Sequence, residues 1–167
     1  MAEFSGKYAS DVRWYCEQRL SGKVKCNEYQ LKGIERFYRD LENDKYEFDS
    51  KDADFVIGII EKTICHMQGE TQEGEPLRGT PFLLMPFHKF IVYNILGFYH
   101  KGTSIKKFHE ALIFIPRKNV KTSFSASLAY ALGLLYRKSG SKVYVVAAAL
   151  NQTLETFNFL KYNIKHM

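Results

Sequence analysis

The sequence predicts an α/β fold in which a mostly helical N-terminal arm precedes a parallel sheet flanked by helices. Residues 111–115 form a short apolar run, and residues 143–149 form a second run that is rich in small and β-branched side chains. Short runs of this kind are typical of buried strands. Between them, four apolar residues recur at helical spacing, namely Phe124, Leu128, Leu132 and Leu135. A strand, a helix and a second strand in this order form a βαβ unit, which makes a right-handed, parallel pair of strands.

The N-terminal arm spans residues 1–80 and is predicted to contain three helices. Each has four residues on one face: Tyr8, Val12, Tyr15 and Arg19; Leu31, Ile34, Tyr38 and Leu41; and Phe55, Ile59, Thr63 and Met67. Asn27 is a favourable N-cap for the second helix. Residues 68–80 contain three glycines and one proline. They are therefore predicted to form a loop that leads into residues 81–167, the front part of the α/β domain.

A last helix is predicted after the second apolar run. Asn151 is its expected N-cap, because an asparagine side chain accepts a hydrogen bond from the first turn of a helix. Four residues then share one face, namely Leu154, Phe157, Leu160 and Ile164.

The loop between the first predicted strand and its helix is basic and contains a Lys-Thr pair. It consists of Pro116, Arg117, Lys118, Asn119, Val120, Lys121, Thr122 and Ser123. A Lys-Thr pair where a buried strand turns into a helix is the layout of a phosphate-binding loop. Backbone N–H groups face the anion, the lysine reaches the outer phosphates, and the hydroxyl holds Mg²⁺. Ligands of open α/β sheets bind at this carboxyl end of the strands.

The loop departs from the pattern G-x-x-x-x-G-K-[ST], because Ile115 and Val120 stand in place of its glycines. A β-branched residue resists φ > 0, so a loop that keeps the phosphate cradle is expected to hold Val120 at φ < 0. An ordinary strand–loop–helix with a Lys-Thr pair on its surface would give the same local pattern. Taken alone, the loop leaves both interpretations open.

Three segments in order resemble the large terminase subunits of tailed phages. Residues 108–122 resemble the ATPase motif of that family, and residues 143–152 are similar to its next strand and small-residue turn. Residues 83–91, with Gly97 and Phe98, resemble the segment that packs near the adenine ring. The resemblance extends from about residue 81 to residue 160. It implies an α/β P-loop NTPase core, of which this chain holds an incomplete sheet.

The resemblance also implies roles for individual residues toward ATP and Mg²⁺. Lys121 would contact the β- and γ-phosphates, Thr122 would bind Mg²⁺, and Arg117 would act on the γ-phosphate in cis. All eight loop residues would then be nucleotide-binding. Phe87 and His88 would lie on the adenine side, although His88 stands where the family more often has glutamine. A neutral imidazole still offers one donor and one acceptor.

The family is a two-part enzyme, with an N-terminal ATPase that drives DNA into a procapsid and a C-terminal nuclease that cuts it. The implied partners are double-stranded DNA, the portal protein and the small terminase subunit, with a homo-oligomeric ring as the assembled form. The implied location is the host cytoplasm of a phage or prophage. The three cysteines form no C-x-x-C pair, which favours reduced thiols over a disulfide framework. We also expect neither a signal peptide nor a membrane span, because no suitable apolar stretch is present in the sequence.

The chain is expected to be the front part of such an ATPase, without the residues needed for turnover. P-loop enzymes use an acidic residue at the end of a later strand to hold Mg²⁺. From residue 101 onward the acidic residues are Glu110 and Glu155, and their positions suit surface or helix-start roles. Two alternatives stay open, namely another DNA-handling P-loop ATPase such as a helicase-like motor, and a non-catalytic interaction domain with a degenerate loop.

Net positive charge is concentrated in residues 101–167. Residues 101–167 hold eleven Lys and Arg against two acidic residues, a net +9, whereas residues 1–100 come to −3. A basic half suits both a triphosphate and the DNA backbone. The pairs Lys106-Lys107 and Arg137-Lys138 can equally be solvated ends of secondary-structure elements.

Overall fold

The computed structural model describes residues 3–116, 119–137 and 142–166. Within these ranges the chain forms six helices and two short strands. The elements are α1 (Ala9–Leu20), α2 (Glu28–Leu41), β1 (Tyr46–Phe48), α3 (Lys51–Thr63), α4 (Pro86–Leu96), β2 (Phe98–His100), α5 (Lys121–Leu135) and α6 (Leu150–Lys165). None of the described helices is long and apolar enough to cross a bilayer.

The described chain divides into two compact units. The first contains the residues up to Phe55 together with Leu84–Leu112, and the second contains Val56–Leu83 together with the residues from Ile113 onward. Helix α3 begins in the first unit and ends in the second. The loop with the Lys-Thr pair lies in the second unit.

The first unit is built around α1, which packs against α4, and a two-stranded sheet. Strands β1 and β2 pair antiparallel, with Glu47 opposite Tyr99. The fully buried ring of Phe37 lies edge-on to several aromatic rings of this unit. Asn27 caps α2 through a complete capping box with Gln30, which confirms the predicted cap.

A polar cluster anchors the N-terminal segment of the first unit. The Tyr93 hydroxyl donates a hydrogen bond to Asp54 Oδ1 at 2.5 Å and accepts one from the Tyr8 N–H at 3.1 Å. The Lys7 N–H donates to Asp54 Oδ2 at 2.9 Å. Burial, followed by the hydrogen bond to Asp54, raises the pKa of Tyr93, so its phenol stays protonated and can donate.

The second unit is built on the packing of α5 against α6. Residues 64–82 fold into a loop that is closed by backbone hydrogen bonds, including His66 N–H to Thr80 at 2.9 Å and Leu77 N–H to Gly69 at 2.9 Å. Residues 68–80 contain no helix, which confirms the predicted loop. Its base is fixed to α6, because the buried side chain of Asn163 accepts a hydrogen bond from the Cys65 N–H at 2.6 Å.

The parallel sheet predicted from residues 111–115 and 143–149 is not seen. Neither segment lies in a strand, and the one sheet in the described part of the chain is the antiparallel pair β1–β2. Leu112 and Phe114 are each 94% exposed, so the predicted burial of the first run is wrong. A parallel strand gains its ladder hydrogen bonds and its burial only from neighbouring strands and covering helices. Apolar composition alone therefore does not create it.

Two details of α6 also differ from the prediction. The N-cap is Ala149, without a side-chain hydrogen bond, so Asn151 lies inside the helix and does not cap it. The buried residues are Phe159 and Asn163, whereas most of the predicted apolar face is exposed. Helix α6 instead buries Phe159 and Asn163, and the Asn163 side chain accepts a hydrogen bond from the Cys65 N–H of the 64–82 loop.

Candidate functional site

The Lys-Thr loop joins α5 through a left-handed residue. Val120 is the N-cap of α5 with φ 53° and ψ 24°, and Lys121 is the first helical residue. Val120 is the one non-glycine residue with positive φ in the described ranges. The expectation of φ < 0 was therefore wrong. The turn keeps the backbone conformation that a glycine would adopt easily, and the β-branched side chain is accommodated under strain.

The N-terminal end of α5 is suited to an anion. The first helical hydrogen bond runs from Phe124 N–H to the Val120 carbonyl at 2.9 Å, and the preceding N–H groups of a helix have no partner within it. The first turn contains no acidic residue, and Val120 provides no side-chain cap. The partial positive charge of the helix end is thus available to a phosphate, with the Lys121 charge beside it.

A cavity of about 590 Å³ opens at this helix end. Its lining brings together five of the predicted loop residues and two residues of α6: Pro116, Val120, Lys121, Thr122, Ser123, Gln152 and Glu155. A second cavity, of about 800 Å³, is lined by residues of the loop, of the 64–82 segment and of α6: His66, Met67, Gln68, Gly69, Val120, Thr122, Ser123, Glu155, Asn158 and Phe159.

Glu155 is the functional candidate that the sequence argument missed. It was expected to serve a surface or helix role, yet it lines both cavities together with Thr122 and Ser123. A signal was present, because in the predicted βαβ unit the helix after the second strand would start at the edge of the sheet where ligands bind. The first turns of α6, which carry Gln152 and Glu155, could have been assigned to the site on that basis.

The donor set at the cavities fits Mg²⁺. Thr122 supplies a hydroxyl and Glu155 a carboxylate, and hard oxygen donors are the ligands that Mg²⁺ prefers. No group of three or more His, Cys, Asp or Glu residues that could hold a metal occurs in the part of the chain that the structure describes.

The remaining loop residues are placed as follows. The Asn119 side-chain amide donates a 3.4 Å hydrogen bond to the Pro116 carbonyl across the loop, and Asn119 is not among the lining residues of either cavity. Arg117 and Lys118 lie outside the described residues. The structure thus brings Pro116, Val120, Lys121, Thr122 and Ser123 together at one cavity.

The predicted adenine-side residues belong to the other compact unit. Phe87 and His88 lie in the first turn of α4. His88 is 1% exposed, and its Nδ1 accepts a hydrogen bond from the Met85 N–H at 3.3 Å. Burial lowers the pKa of His88 to about 4, so the ring is neutral near pH 7. In this position His88 acts as a buried capping residue of α4.

Comparison with known proteins adds one match. Residues 86–167 match the family model of the ATPase domain of the terminase large subunit. The match covers the whole Lys-Thr loop, α5 and α6. No curated protein and no solved structure matches the chain.

Proposed function

Because this chain belongs to the terminase large subunit family through its ATPase domain, residues 86–167, we propose that its Lys-Thr loop binds ATP with Mg²⁺. The observation that carries the proposal is the α5 N-terminus. There, a left-handed Val120 turns the backbone so that Lys121, Thr122 and Ser123 border one cavity. This arrangement provides N–H groups, a cation and a hydroxyl on the same side of the loop.

Each residue has a distinct role in this proposal. Lys121 forms a charge-assisted contact to the β- and γ-phosphates, and the N–H groups of the first turn of α5 hold the phosphate oxygens. Thr122 offers its hydroxyl to Mg²⁺, with Glu155 as the nearby carboxylate. Arg117 acts on the γ-phosphate in cis, as the family resemblance implies. When bound, Mg²⁺ would supply positive charge to offset the negative charge of the phosphates. The assignment of Phe87 and His88 to the adenine side stays a prediction that rests on the resemblance.

The wider role that we propose is that of the motor that packages viral DNA into procapsids. In the full protein, this ATPase would act with a DNA-cutting nuclease. Its partners would be double-stranded DNA, the portal protein and the small terminase subunit. The motor would assemble as a homo-oligomeric ring in the host cytoplasm, encoded by a phage or prophage.

Two other functions were open from the sequence. A helicase-like ATPase is less well supported, because the family match is to terminases. A degenerate loop in a non-catalytic domain stays the alternative, because Val120 stands in place of a glycine. Nucleotide binding is better supported, because Lys121, Thr122 and Ser123 border one cavity at the α5 N-terminus. We therefore retain nucleotide binding as the function of the loop.

Turnover by this chain alone is a separate question, and we expect it to be slow. Phosphoryl transfer needs a held metal, an oriented water and stabilised charge on the γ-phosphate. The loop supplies the third, and Thr122 supplies part of the first. Steady phosphate release by the purified chain, well above a Lys121→Ala control, would show that Glu155 or another described group completes the site.

Calorimetric titration with ATP and Mg²⁺ tests the proposal. Lys121→Ala is expected to weaken binding by about ten-fold or more, since a hydrogen bond to a charged group contributes about 1.5–3 kcal/mol. Lys161→Ala is the matched control, because Lys161 is exposed on α6 and lines neither cavity. Equal affinity of the parent and Lys121→Ala for ATP would refute the assignment.

A further inference from the structure

The smaller of the two cavities at the Lys-Thr loop has a second wall on α6. Gln152 and Glu155 line it from that helix, whereas its other lining residues belong to the loop and the start of α5. Positions three apart lie on the same face of a helix, so Gln152 and Glu155 share one face of α6. Helix α6 therefore presents an amide and a carboxylate to the same cavity as the loop.

Four of the lining side chains fall into two pairs. Thr122 and Glu155 line both cavities, whereas Lys121 and Gln152 line the smaller cavity and not the larger one. The first pair is the one proposed for Mg²⁺, and Lys121 is the residue proposed to contact the γ-phosphate. Gln152 thus lies in the cavity of the outer-phosphate contact, and the proposed function assigns it no role.

We infer that Gln152 positions the water that attacks the γ-phosphate. The inference rests on the proposed function, because it takes the triphosphate to lie at the α5 N-terminus. Phosphoryl transfer needs an oriented water, a requirement that Lys121 and Thr122 leave open. A glutamine side chain orients the attacking water in GTPases of the P-loop class, so an amide is chemically suited to this task.

The step that this water undergoes is a displacement at phosphorus. The water oxygen forms a bond to the γ-phosphorus while the bond from phosphorus to the β,γ-bridging oxygen breaks. The electron pair of that bond leaves with ADP, and one proton of the water passes to a γ-phosphate oxygen. The Gln152 side-chain carbonyl accepts a hydrogen bond from the water and thereby aims the water oxygen at phosphorus.

The charge and the placement of Gln152 suit a position beside a phosphate. Its amide accepts a hydrogen bond without carrying a negative charge, whereas a carboxylate there would repel the phosphate. Gln152 is the third residue of α6, and its backbone N–H donates a 3.1 Å hydrogen bond to the Ala149 carbonyl. The first turn of α6 contains no acidic residue. The positive end of the helix dipole therefore adds a field that favours the anion.

The test compares two ligands, each titrated with Mg²⁺ into the 167-residue chain by calorimetry. The β,γ-imido analogue of ATP represents the ground state, and ADP with aluminium fluoride mimics the transferring phosphoryl group with its in-line water. Gln152→Ala removes the amide. Alanine is favourable inside a helix, so α6 should keep its stability, which circular dichroism checks. The matched control is Asn151→Ala, because the neighbouring Asn151 is exposed and lines neither cavity.

We expect Gln152→Ala to weaken binding of the aluminium fluoride complex by about ten-fold or more, since a contact to the attacking water is made only in the transition-state geometry. Binding of the imido analogue should stay within about two-fold of the parent, and Asn151→Ala should behave as the parent. If Gln152→Ala weakens both ligands equally or neither, or if the parent binds only the imido analogue, the inference fails while the phosphate site stands. If the parent binds neither ligand, the proposed function fails and this inference falls with it.

Discussion

Thr122 and Glu155 line the same two cavities, although one lies in the first turn of α5 and the other on α6. Their hydroxyl and carboxylate are two of the hard oxygen donors at the cavity that Lys121 also lines. This relationship gives the loop a candidate acidic partner within the described chain.

Substitution of Glu155 should change how ATP binding depends on Mg²⁺. Glu155→Gln keeps the size of the side chain but removes a charged oxygen donor, so the Mg²⁺ concentration for half-maximal ATP binding should rise by about five-fold. Calorimetric titrations of ATP at fixed Mg²⁺ concentrations measure this. Glu110→Gln is the matched control, since Glu110 is exposed and lines neither cavity. An equal Mg²⁺ requirement in both variants would remove Glu155 from the site.

Substitution of Val120 should release backbone strain. A β-branched residue in the left-handed region costs about 1–2 kcal/mol, and glycine adds about 0.5–1 kcal/mol of chain entropy to the unfolded state. Val120→Gly should thus raise the free energy of unfolding in urea by a few tenths to about 1 kcal/mol, with ATP affinity within a few-fold of the parent.

Val120→Ala serves as the control for this experiment, because alanine keeps the left-handed strain while it shortens the side chain. It should show no comparable gain in stability. A gain of ten-fold or more in ATP affinity for Val120→Gly would mean instead that the valine side chain obstructs the cradle, and would support the degenerate-domain alternative.

Loss of the Tyr93 hydroxyl should destabilise the first unit. Tyr93→Phe removes the donor to Asp54 and the acceptor for the Tyr8 N–H, and a hydrogen bond to a charged group contributes about 1.5–3 kcal/mol. We expect the free energy of unfolding in urea to fall by about 2 kcal/mol. Tyr29→Phe is the control, because Tyr29 is 82% exposed. Unchanged stability of Tyr93→Phe would show that the cluster contributes no net energy.

His88 should make stability depend on pH in the mildly acidic range. Its folded pKa is lowered by burial to about 4, from an ordinary value of 6.5. The unfolded state therefore binds a proton first as the pH falls. The stabilising contribution is complete above about pH 6.5 and is lost as the pH falls toward 4.

The shift corresponds to a few kcal/mol at most, since one pKa unit is equivalent to about 1.4 kcal/mol. His88→Gln, whose amide does not titrate, should flatten the loss of stability between pH 6.5 and 4. His109→Gln, at an exposed position, should leave it as in the parent. Urea unfolding at several pH values measures both, and parallel curves for His88→Gln and the parent would contradict the prediction.

The basic half of the chain should bind duplex DNA without sequence preference. Each contact between a cation and a phosphate contributes about −0.9 to the slope of log affinity against log salt. Replacing the exposed Lys161 and Lys165 of α6 by Glu should reduce that slope by about 2. The control replaces the exposed Lys23 and Lys25 of the acidic half. Affinity that is independent of salt would rule out this mode of binding.

Local sequence signals determined the helices of this protein and the position of the Lys-Thr loop at a helix N-terminus. The three helices of the arm, the cap at Asn27 and the start of α5 at Lys121 depend on residues close in the chain. The third helix is shorter than predicted, because α3 ends at Thr63, before Met67. The position of the loop at a helix N-terminus follows from the same short-range pattern, and so does the resemblance that the family match confirms. Hydrogen bonds within one helix need no distant partner.

Only the tertiary structure decided the remaining features. In the apolar run 111–115, Leu112 and Phe114 stay exposed, because a strand depends on neighbours that composition does not supply. Helix α6 turns Phe159 and Asn163 inward, since Asn163 pairs with the distant backbone of Cys65. The same packing brings Glu155 and the 66–69 loop to the cavities beside Thr122. Val120 adopts a left-handed conformation, φ 53°, although a β-branched residue intrinsically prefers φ < 0.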